Sequence, residues 1–376
     1  MSSSVLVIAS FADSILTFRG DLLLAMQANG HQVHVAAPDF SQAQLEQLSS
    51  MGIVGHAYQL QRTGLNPFKD LSSVVSLFKL IKTLQPNTVL SYTIKPVIYG
   101  SLAARLAGVR QIYSMITGLG YVFSHAISFK QKLLHALVCT MYKLSLALNR
   151  AVFFQNPDDR ELFTQQHIVP LAKTQLINGS GINLGLFAAK PLPERLPTLR
   201  FLLIARLLKD KGIYEYVAAA KILREKGYQA EFHLAGWLDD NPSCVDEADL
   251  KQWIEQGLVI FHGRVDDVKP LLENCHVYVL PSYREGTPRT VLEAMATARP
   301  IVTTDAPGCR ETVIDKQNGF LVAPQNGPAL ADALICYLQQ PELLEQHGQA
   351  SRQYAEQRYD VKRVNQQILD VINGVS

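Results

Sequence analysis

Two doubly wound α/β domains in succession are the fold this sequence predicts, and three observations predict it. Short β-branched apolar runs alternate with longer helical patterns from end to end, the signature of parallel α/β layers. The runs fall into two series, separated by a Gly- and Pro-rich stretch. A length of 376 residues is too great for one ordinary core and suits two domains of common size.

The first series of strand candidates is Val5–Ala9, Gln32–Ala37, Ile53–Gln59, Thr88–Tyr92, Gln111–Ile116 and Ala151–Gln155. After Ile177 the texture changes to Asn178-Gly-Ser-Gly-Ile-Asn183 and then to Lys190-Pro-Leu-Pro-Glu-Arg-Leu-Pro197, which marks the domain boundary. The second series is Arg200–Ala205, Glu231–Ala235, Leu258–His262, His276–Leu280, Pro300–Thr304 and Gly319–Val322. A helical pattern from Glu345 to Val371 closes the chain. The expected division is 1–190, 196–355, and a C-terminal helix over 356–376 that packs back on the first domain.

Apolar residues make up 48% and charged residues 18%, as in a globular protein. The net charge of +2 hides an asymmetry. Residues 1–157 hold twelve Lys/Arg against five Asp/Glu, a balance of +7, which leaves −5 for the remainder. The basic half calls for an anionic partner or is ordinary solvated surface. Five widely spaced cysteines with no Cys-x-x-Cys pair argue against a disulfide framework and a zinc site and fit reduced, mostly buried thiols in a cytosol. The apolar run Val5–Ala9 follows no basic leader and is too short for a signal peptide. The stretch Leu133–Leu148 is broken by His135 and Lys143 and is not expected to span a membrane. Ten histidines show no metal-ligand spacing, and no nucleic-acid motif is present.

In open α/β sheets ligands collect at the carboxyl ends of strands, so motifs there carry most weight. The turn after the first strand reads Ser10-Phe-Ala-Asp-Ser14, without the glycines of the pyrophosphate fingerprint, which argues against a dinucleotide oxidoreductase. In the second domain a strand ends in Arg206, with Lys211-Gly212 five residues on. Two cations at one sheet edge suit a diphosphate. Another strand runs into Pro281-Ser-Tyr-Arg-Glu285-Gly-Thr-Pro-Arg-Thr-Val-Leu-Glu293. Thr287 is expected as N-cap and Pro288 as first helical residue, so that the N–H groups of Arg289 and Thr290 form an anion site. Glu293, one turn deeper, can accept bonds from ribose hydroxyls, and Glu285 from a sugar. A third strand leads into His262-Gly263-Arg264-Val265-Asp266-Asp267, where Arg264 can pack under a nucleobase or sit as plain surface.

The string Ala205-Arg206-Leu-Leu-Lys-Asp-Lys211-Gly212, the Phe261–Asp267 segment, and Glu285 with Glu293 across seven residues resemble glycosyltransferase family 4. The resemblance covers essentially the whole chain. It implies a GT-B fold, two Rossmann-like domains facing each other across a cleft, and retaining transfer from a UDP-sugar without a metal or other cofactor. By the same resemblance Arg206 and Lys211 hold the donor diphosphate, Glu285 contacts the donor sugar, and Glu293 the ribose; Arg206, Lys211 and Glu285 are the implied catalytic set. Gly236, Arg264, Val265, Gly286, Thr287, Pro288, Arg289 and Thr290 complete the donor side.

Thr17-Phe18-Arg19, Arg62-Thr-Gly-Leu-Asn-Pro-Phe68, Lys95-Pro-Val-Ile-Tyr99-Gly100, Thr117-Gly118-Leu-Gly120 and Asp240-Asn-Pro-Ser-Cys244 resemble a bacterial subgroup that extends undecaprenyl-diphosphate-linked sugars. Phe18, Arg19, Lys95, Tyr99 and Gly118 become the acceptor-side candidates. Ile94 stands where the subgroup carries a histidine, and the family's glycine pair after the first strand is absent; both bear on the acceptor side. The segment Phe129–Lys143, with Lys130, Lys132 and Lys143 beside an apolar face, reads either as a helix lying on an anionic bilayer or as a core helix with solvated lysines.

The expected function is transfer of a hexose or N-acetylhexosamine, GalNAc or GlcNAc first, from a UDP-sugar to a lipid-diphosphate-linked saccharide at the cytoplasmic face of the inner membrane. Its rivals are a UDP-sugar 2-epimerase of the same architecture, a transferase with a soluble acceptor, and a non-catalytic binding partner.

Overall fold

The computed structural model describes residues 3–61, 67–119, 123, 129–194, 198–239, 241 and 243–374. The chain divides into two compact units, Met1–Ser180 with Val361–Ser376, and Gly181–Asp360.

The first unit is built on a seven-stranded parallel sheet. Its strands are β1 Ser4–Ile8, β2 Gln32–Ala37, β3 Val54–Ala57, β4 Thr88–Tyr92, β5 Gln111–Ile116, β6 Ala151–Phe154 and β7 Thr174–Leu176, in the order β3-β2-β1-β4-β5-β6-β7. Its helices are α1 Asp13–Ala28, α2 Gln42–Ser50, α3 Pro67–Leu84, α4 Ile94–Leu106, α5 Phe129–Leu146 and α6 Pro157–Gln165. The second unit has six strands, β8 Leu199–Ile204, β9 Ala230–Ala235, β10 Ile260–Phe261, β11 Val277–Leu280, β12 Ile301–Thr304 and β13 Gly319–Val322, ordered β10-β9-β8-β11-β12-β13 and again parallel. Its helices are α7 Ile213–Glu225, α8 Glu247–Glu255, α9 Lys269–Asn274, α10 Arg289–Ala296, α11 Gly327–Gln339 and α12 Glu342–Tyr354.

Why these runs form central strands is visible in their burial. Val5, Leu6, Val7 and Ile8 of β1 all lack solvent exposure, so successive side chains are covered on both sheet faces. A strand so placed must be apolar at every position, which is why the signal in the sequence is a run and not an alternation. β7 is the strand the sequence does not announce. It is three residues long, contains Gln175, and pairs only with β6 at the sheet edge.

The C-terminal helical pattern is two helices, not one. α12 ends in a π turn over Ala355–Tyr359, and Asp360, at φ −54° and ψ 122°, leaves helical space. α13 (Val361–Asn373) then belongs to the first unit. Val361, Val364, Ile368, Leu369 and Ile372 recur at three- and four-residue spacing, and the last four enter the core beside Ile15, Leu22 and Met26 of α1. Burying each contributes about 1.5–3 kcal/mol before the entropy of ordering the helix is counted.

Both strand orders reverse direction once, between β1 and β4 in the first unit and between β8 and β11 in the second. At such a switch point the two flanking loops diverge and leave a crevice at the strands' carboxyl ends. The loops after β1, β4, β8 and β11 are therefore where ligand chemistry is to be sought.

Candidate functional site

In the second unit the two switch-point loops carry the basic and acidic residues that the sequence singles out. After β8, Arg206 directs Nη1 to Asp239 Oδ2 at 2.8 Å. Asp239 follows β9 and was not among the expected partners. Lys211 closes the short turn Lys209–Lys211, and its Nζ lies 2.5 Å from Glu285 Oε1. Both members of this pair are only 16% exposed, so their attraction is less screened than that of a surface pair.

Backbone contacts lock the two loops together. The Tyr283 N–H (2.9 Å) and the Ser282 hydroxyl (3.1 Å) both donate to the Asp210 carbonyl, and the Tyr283 hydroxyl donates to Glu215 of α7 at 2.7 Å. This is why residues 74 positions apart present an ammonium and a carboxylate to one point. On the far side, the Glu285 N–H donates to Pro307 O at 2.9 Å. Gly308, at φ +80°, lies so close that a Cβ there would stand 2.2 Å from Glu285 O and 2.6 Å from Gly286 O. Only glycine fits this contact. The Pro307–Gly308 corner is a support that no sequence signal identified.

α10 starts one residue later than the sequence predicts. Pro288, at φ −71° and ψ 112°, is itself the N-cap, with no side-chain cap bond, in place of Thr287. The extended ψ of Pro288 keeps it out of the helix, and its carbonyl accepts from Val291 N–H at 3.1 Å. Arg289 and Thr290 are thus the first two helical residues, in the turn whose N–H groups point out of the helix start. Thr290 also stands beside the Tyr278 hydroxyl, which in turn donates to Ile204 O at 3.1 Å.

Glu293 is 7% exposed and its Oε1 is 3.1 Å from Arg289 Nε. Burial raises its carboxyl to about 7, the Arg289 guanidinium pulling it down and Asp267 pushing it up. Burial outweighs the ion pair. Beyond β9 and β10, the Gly236 N–H donates to Gly263 O at 2.8 Å, and a Cβ on Gly236 would lie 1.9 Å from Ala205 O. Gly236 thus lets the β9 loop close on the β8 loop. Trp237, next in line, is exposed, and Arg264 sits with its guanidinium carbon 5.3 Å from the indole centre. The flat cation expected near a base thus rests on an exposed ring that sequence reading passed over. Val265 is part-buried against the α10 side of the sheet.

The first unit places Phe18, Arg19, Lys95 and Tyr99 on the helices that follow β1 and β4, the strands of its own switch point, but several are already engaged. Lys95 Nζ lies 2.8 Å from Asp70 Oδ1 and 2.8 Å from Gln61 O, and Asp70 also takes the Tyr99 hydroxyl, whose pKa burial and this carboxylate raise. Arg19 is 3% exposed, its guanidinium carbon 5.1 Å from the Tyr92 ring centre and its Nη1 3.4 Å from Phe18 O. The Tyr92 hydroxyl, pushed up to about 12 by burial, is 2.8 Å from Ser14 Oγ. Thr93, between β4 and α4, sits at φ 67° and ψ 158°, a region where a β-branched residue is strained. Phe18 is half-buried, and Gly118 follows β5. Residues 62–66 of the motif that begins at Arg62, Gly120, and Asp240 and Pro242 of the Asp240–Cys244 motif lie outside the described residues, as does the Lys130 side chain.

Comparison with known proteins matches residues 5–156 to the model "Glycosyl transferase 4-like" and residues 198–340 to "Glycosyl transferases group 1". The chain is 30% identical over 373 residues to N,N'-diacetylbacillosaminyl-diphospho-undecaprenol alpha-1,3-N-acetylgalactosaminyltransferase of Campylobacter jejuni, covering 96% of each chain. It is 25% identical over 283 residues to UDP-Gal:alpha-D-GlcNAc-diphosphoundecaprenol alpha-1,3-galactosyltransferase of Escherichia coli, covering 71% of this chain and 70% of that one. Anabaena HepE, solved in complex with UDP-glucose, shares the fold with a TM-score of 0.76 at 19% identity over 99% of both chains.

Proposed function

Because the chain belongs to the group 1, 4-like glycosyltransferases, we propose that it moves a hexose or N-acetylhexosamine, GalNAc or GlcNAc first, from a UDP-sugar to an undecaprenyl-diphosphate-linked saccharide. The observation that carries this reading is the meeting of Arg206, Lys211, Glu285 and the start of α10 at the β8/β11 switch point. Two cations and a helix N-terminus there suit a nucleoside diphosphate, and the named acceptors and donors of the two relatives supply the rest.

In this reading Asp239 and Glu285 hold the cations in place until the donor arrives. Arg206 and Lys211 then take the growing negative charge as the bond between anomeric carbon and diphosphate oxygen breaks. The acceptor hydroxyl attacks from the face the diphosphate leaves, forming the new glycosidic bond, and passes its proton to a departing phosphate oxygen. The configuration is retained. The positive charge that a metal would supply comes from Arg206, Lys211 and the N–H groups of Arg289 and Thr290, so no cofactor is needed. Glu285 receives sugar hydroxyls and Glu293 the ribose. Phe18, Arg19, Lys95, Tyr99 and Gly118 serve the acceptor, Lys95 doing so only if it exchanges its Asp70 and Gln61 contacts.

A lipid-linked acceptor brings the enzyme to the cytoplasmic face of the inner membrane. Among the described residues no helix is long and apolar enough to cross a membrane. α3, α4 and α5 instead lie side by side and expose Phe68, Leu71, Val75, Leu102, Leu106, Leu133, Leu137 and Leu144. Lys69, Lys79, Lys82, Arg105, Lys132 and Lys143 are exposed among them. The one acid of the three helices, Asp70, is taken up by Lys95. A face of apolar and basic side chains without an exposed acid suits an anionic leaflet. The anomeric configuration of the product, read from proton NMR couplings, tests the chemistry: retention is expected, and inversion overturns the front-face step.

A further inference from the structure

Arg289 opens α10, and its side chain, 12% exposed, is held by directed contacts on two sides. Nε lies 3.1 Å from Glu293 Oε1, and Nη1 donates to Gly181 O at 3.1 Å. Gly181 is where the chain enters the second unit, and the neighbouring Ile182 N–H donates to Tyr359 O at 2.7 Å, beside the residue where the chain leaves it. The guanidinium is thus fastened to backbone that is itself held, and Glu293 is fastened to the guanidinium. The other titratable groups bearing on Glu293 are Asp267, which opposes its ionisation, and Tyr278 of β11, which burial keeps neutral.

We propose that Arg289 is a positioning residue of the donor site, holding Glu293 aimed so that its two oxygens accept the 2′- and 3′-hydroxyls of the donor ribose. This rests on the reading of Glu293 as the ribose ligand. A protonated carboxyl keeps one good acceptor oxygen, and a vicinal diol wants two. With Arg289 in place, burial already brings Glu293 to about 7; without it the neutral form extends to higher pH. Arg289 therefore serves the phosphates through its backbone N–H, its guanidinium being held by Glu293 and Gly181.

The test is calorimetric binding of UDP and of 2′,3′-dideoxyuridine diphosphate across pH 6–9, to the wild type, Arg289→Met and Arg289→Lys. The two ligands carry the same diphosphate, so its titration cancels in their affinity ratio. The wild type is expected to prefer UDP, with a preference that grows as pH rises through about 7. Arg289→Met is expected to lose about tenfold or more of that preference near neutrality, keep its affinity for the dideoxy ligand, and regain part of the preference at high pH. A folded Arg289→Met with the wild-type ratio and midpoint overturns the proposal, as does equal weakening for both ligands, which marks a merely structural role. A wild type that does not distinguish the ligands instead overturns the ribose reading of Glu293. Should Arg289→Met not fold, Arg289→Lys decides: it keeps the charge and loses the Gly181 anchor. Its preference is expected to fall about threefold with an unmoved midpoint; an unchanged preference overturns the proposal.

Discussion

Gly308→Ala perturbs the donor site at a residue that is not itself assigned to the donor but packs against two that are, Glu285 and Gly286. The added methyl would stand 2.2 Å from Glu285 O and 2.6 Å from Gly286 O, both backbone atoms that cannot rotate away. Relief to ordinary contact requires the Glu285–Gly286 peptide to retreat by about 1 Å, a misplacement that costs up to about a hundredfold when it reaches a reacting centre. Because Glu285 Oε1 is 2.5 Å from Lys211 Nζ, the shift is passed to the cation that is to hold the diphosphate. The left-handed φ of +80° adds about 1–2 kcal/mol of strain for a residue with a Cβ. The expected variant is folded, less stable by about 2 kcal/mol, and slower by 10- to about 100-fold in kcat/KM. Continuous UDP release measures the rate, and denaturant titration the stability. Wild-type turnover in a folded Gly308→Ala protein would refute the view that this corner sets the Lys211–Glu285 geometry.

Other outcomes follow from the same structure. Arg206→Ala and Lys211→Ala should each lower turnover by about two orders of magnitude with the fold intact, since each removes a charge-assisted contact used most as the diphosphate departs; near-normal rates from either remove it from the clamp. Transfer should survive excess EDTA, and loss restored by magnesium or manganese would establish a metal-assisted mechanism instead. Reversing Lys79, Lys132 and Lys143 to glutamate should weaken flotation with anionic liposomes by about 1 kcal/mol or more per residue, less so at high salt, while a short water-soluble acceptor is still glycosylated. Unchanged flotation leaves the α3–α5 face as ordinary solvated surface.

Twelve of the thirteen strands are legible in the sequence, most of them as runs of apolar residues bounded by turns, the pattern that burial on both sheet faces imposes; the edge strands β3 and β10 are partly exposed and show themselves by their β-branched residues and flanking turns. β7 escapes because an edge strand of three residues needs no such run. The break between α12 and α13 escapes for a different reason. Helical spacing continues through Ala355–Tyr359, and only the backbone at Asp360 shows that the two stretches serve different units. Arg206, Lys211 and Glu285 stand out because they follow strands, and Glu293 because it lies one turn into the helix that comes next. Their partners do not: Asp239 is 33 residues from Arg206 and Asp70 is 25 from Lys95, distances at which no local pattern links two side chains. Gly308 and Thr93 are invisible for want of any side-chain signature, the one being a close approach and the other a backbone strain.

The most direct test of the central claim is mass spectrometry of a short lipid-diphosphate-linked saccharide incubated with the enzyme and a panel of UDP-sugars. One donor, UDP-GalNAc or UDP-GlcNAc first, is predicted to add a single sugar to the acceptor, with UDP released only when acceptor is present. Donor converted without acceptor, as an epimerase would do, or no mass gain with any donor while a sugar lacking the lipid diphosphate is extended, would contradict it.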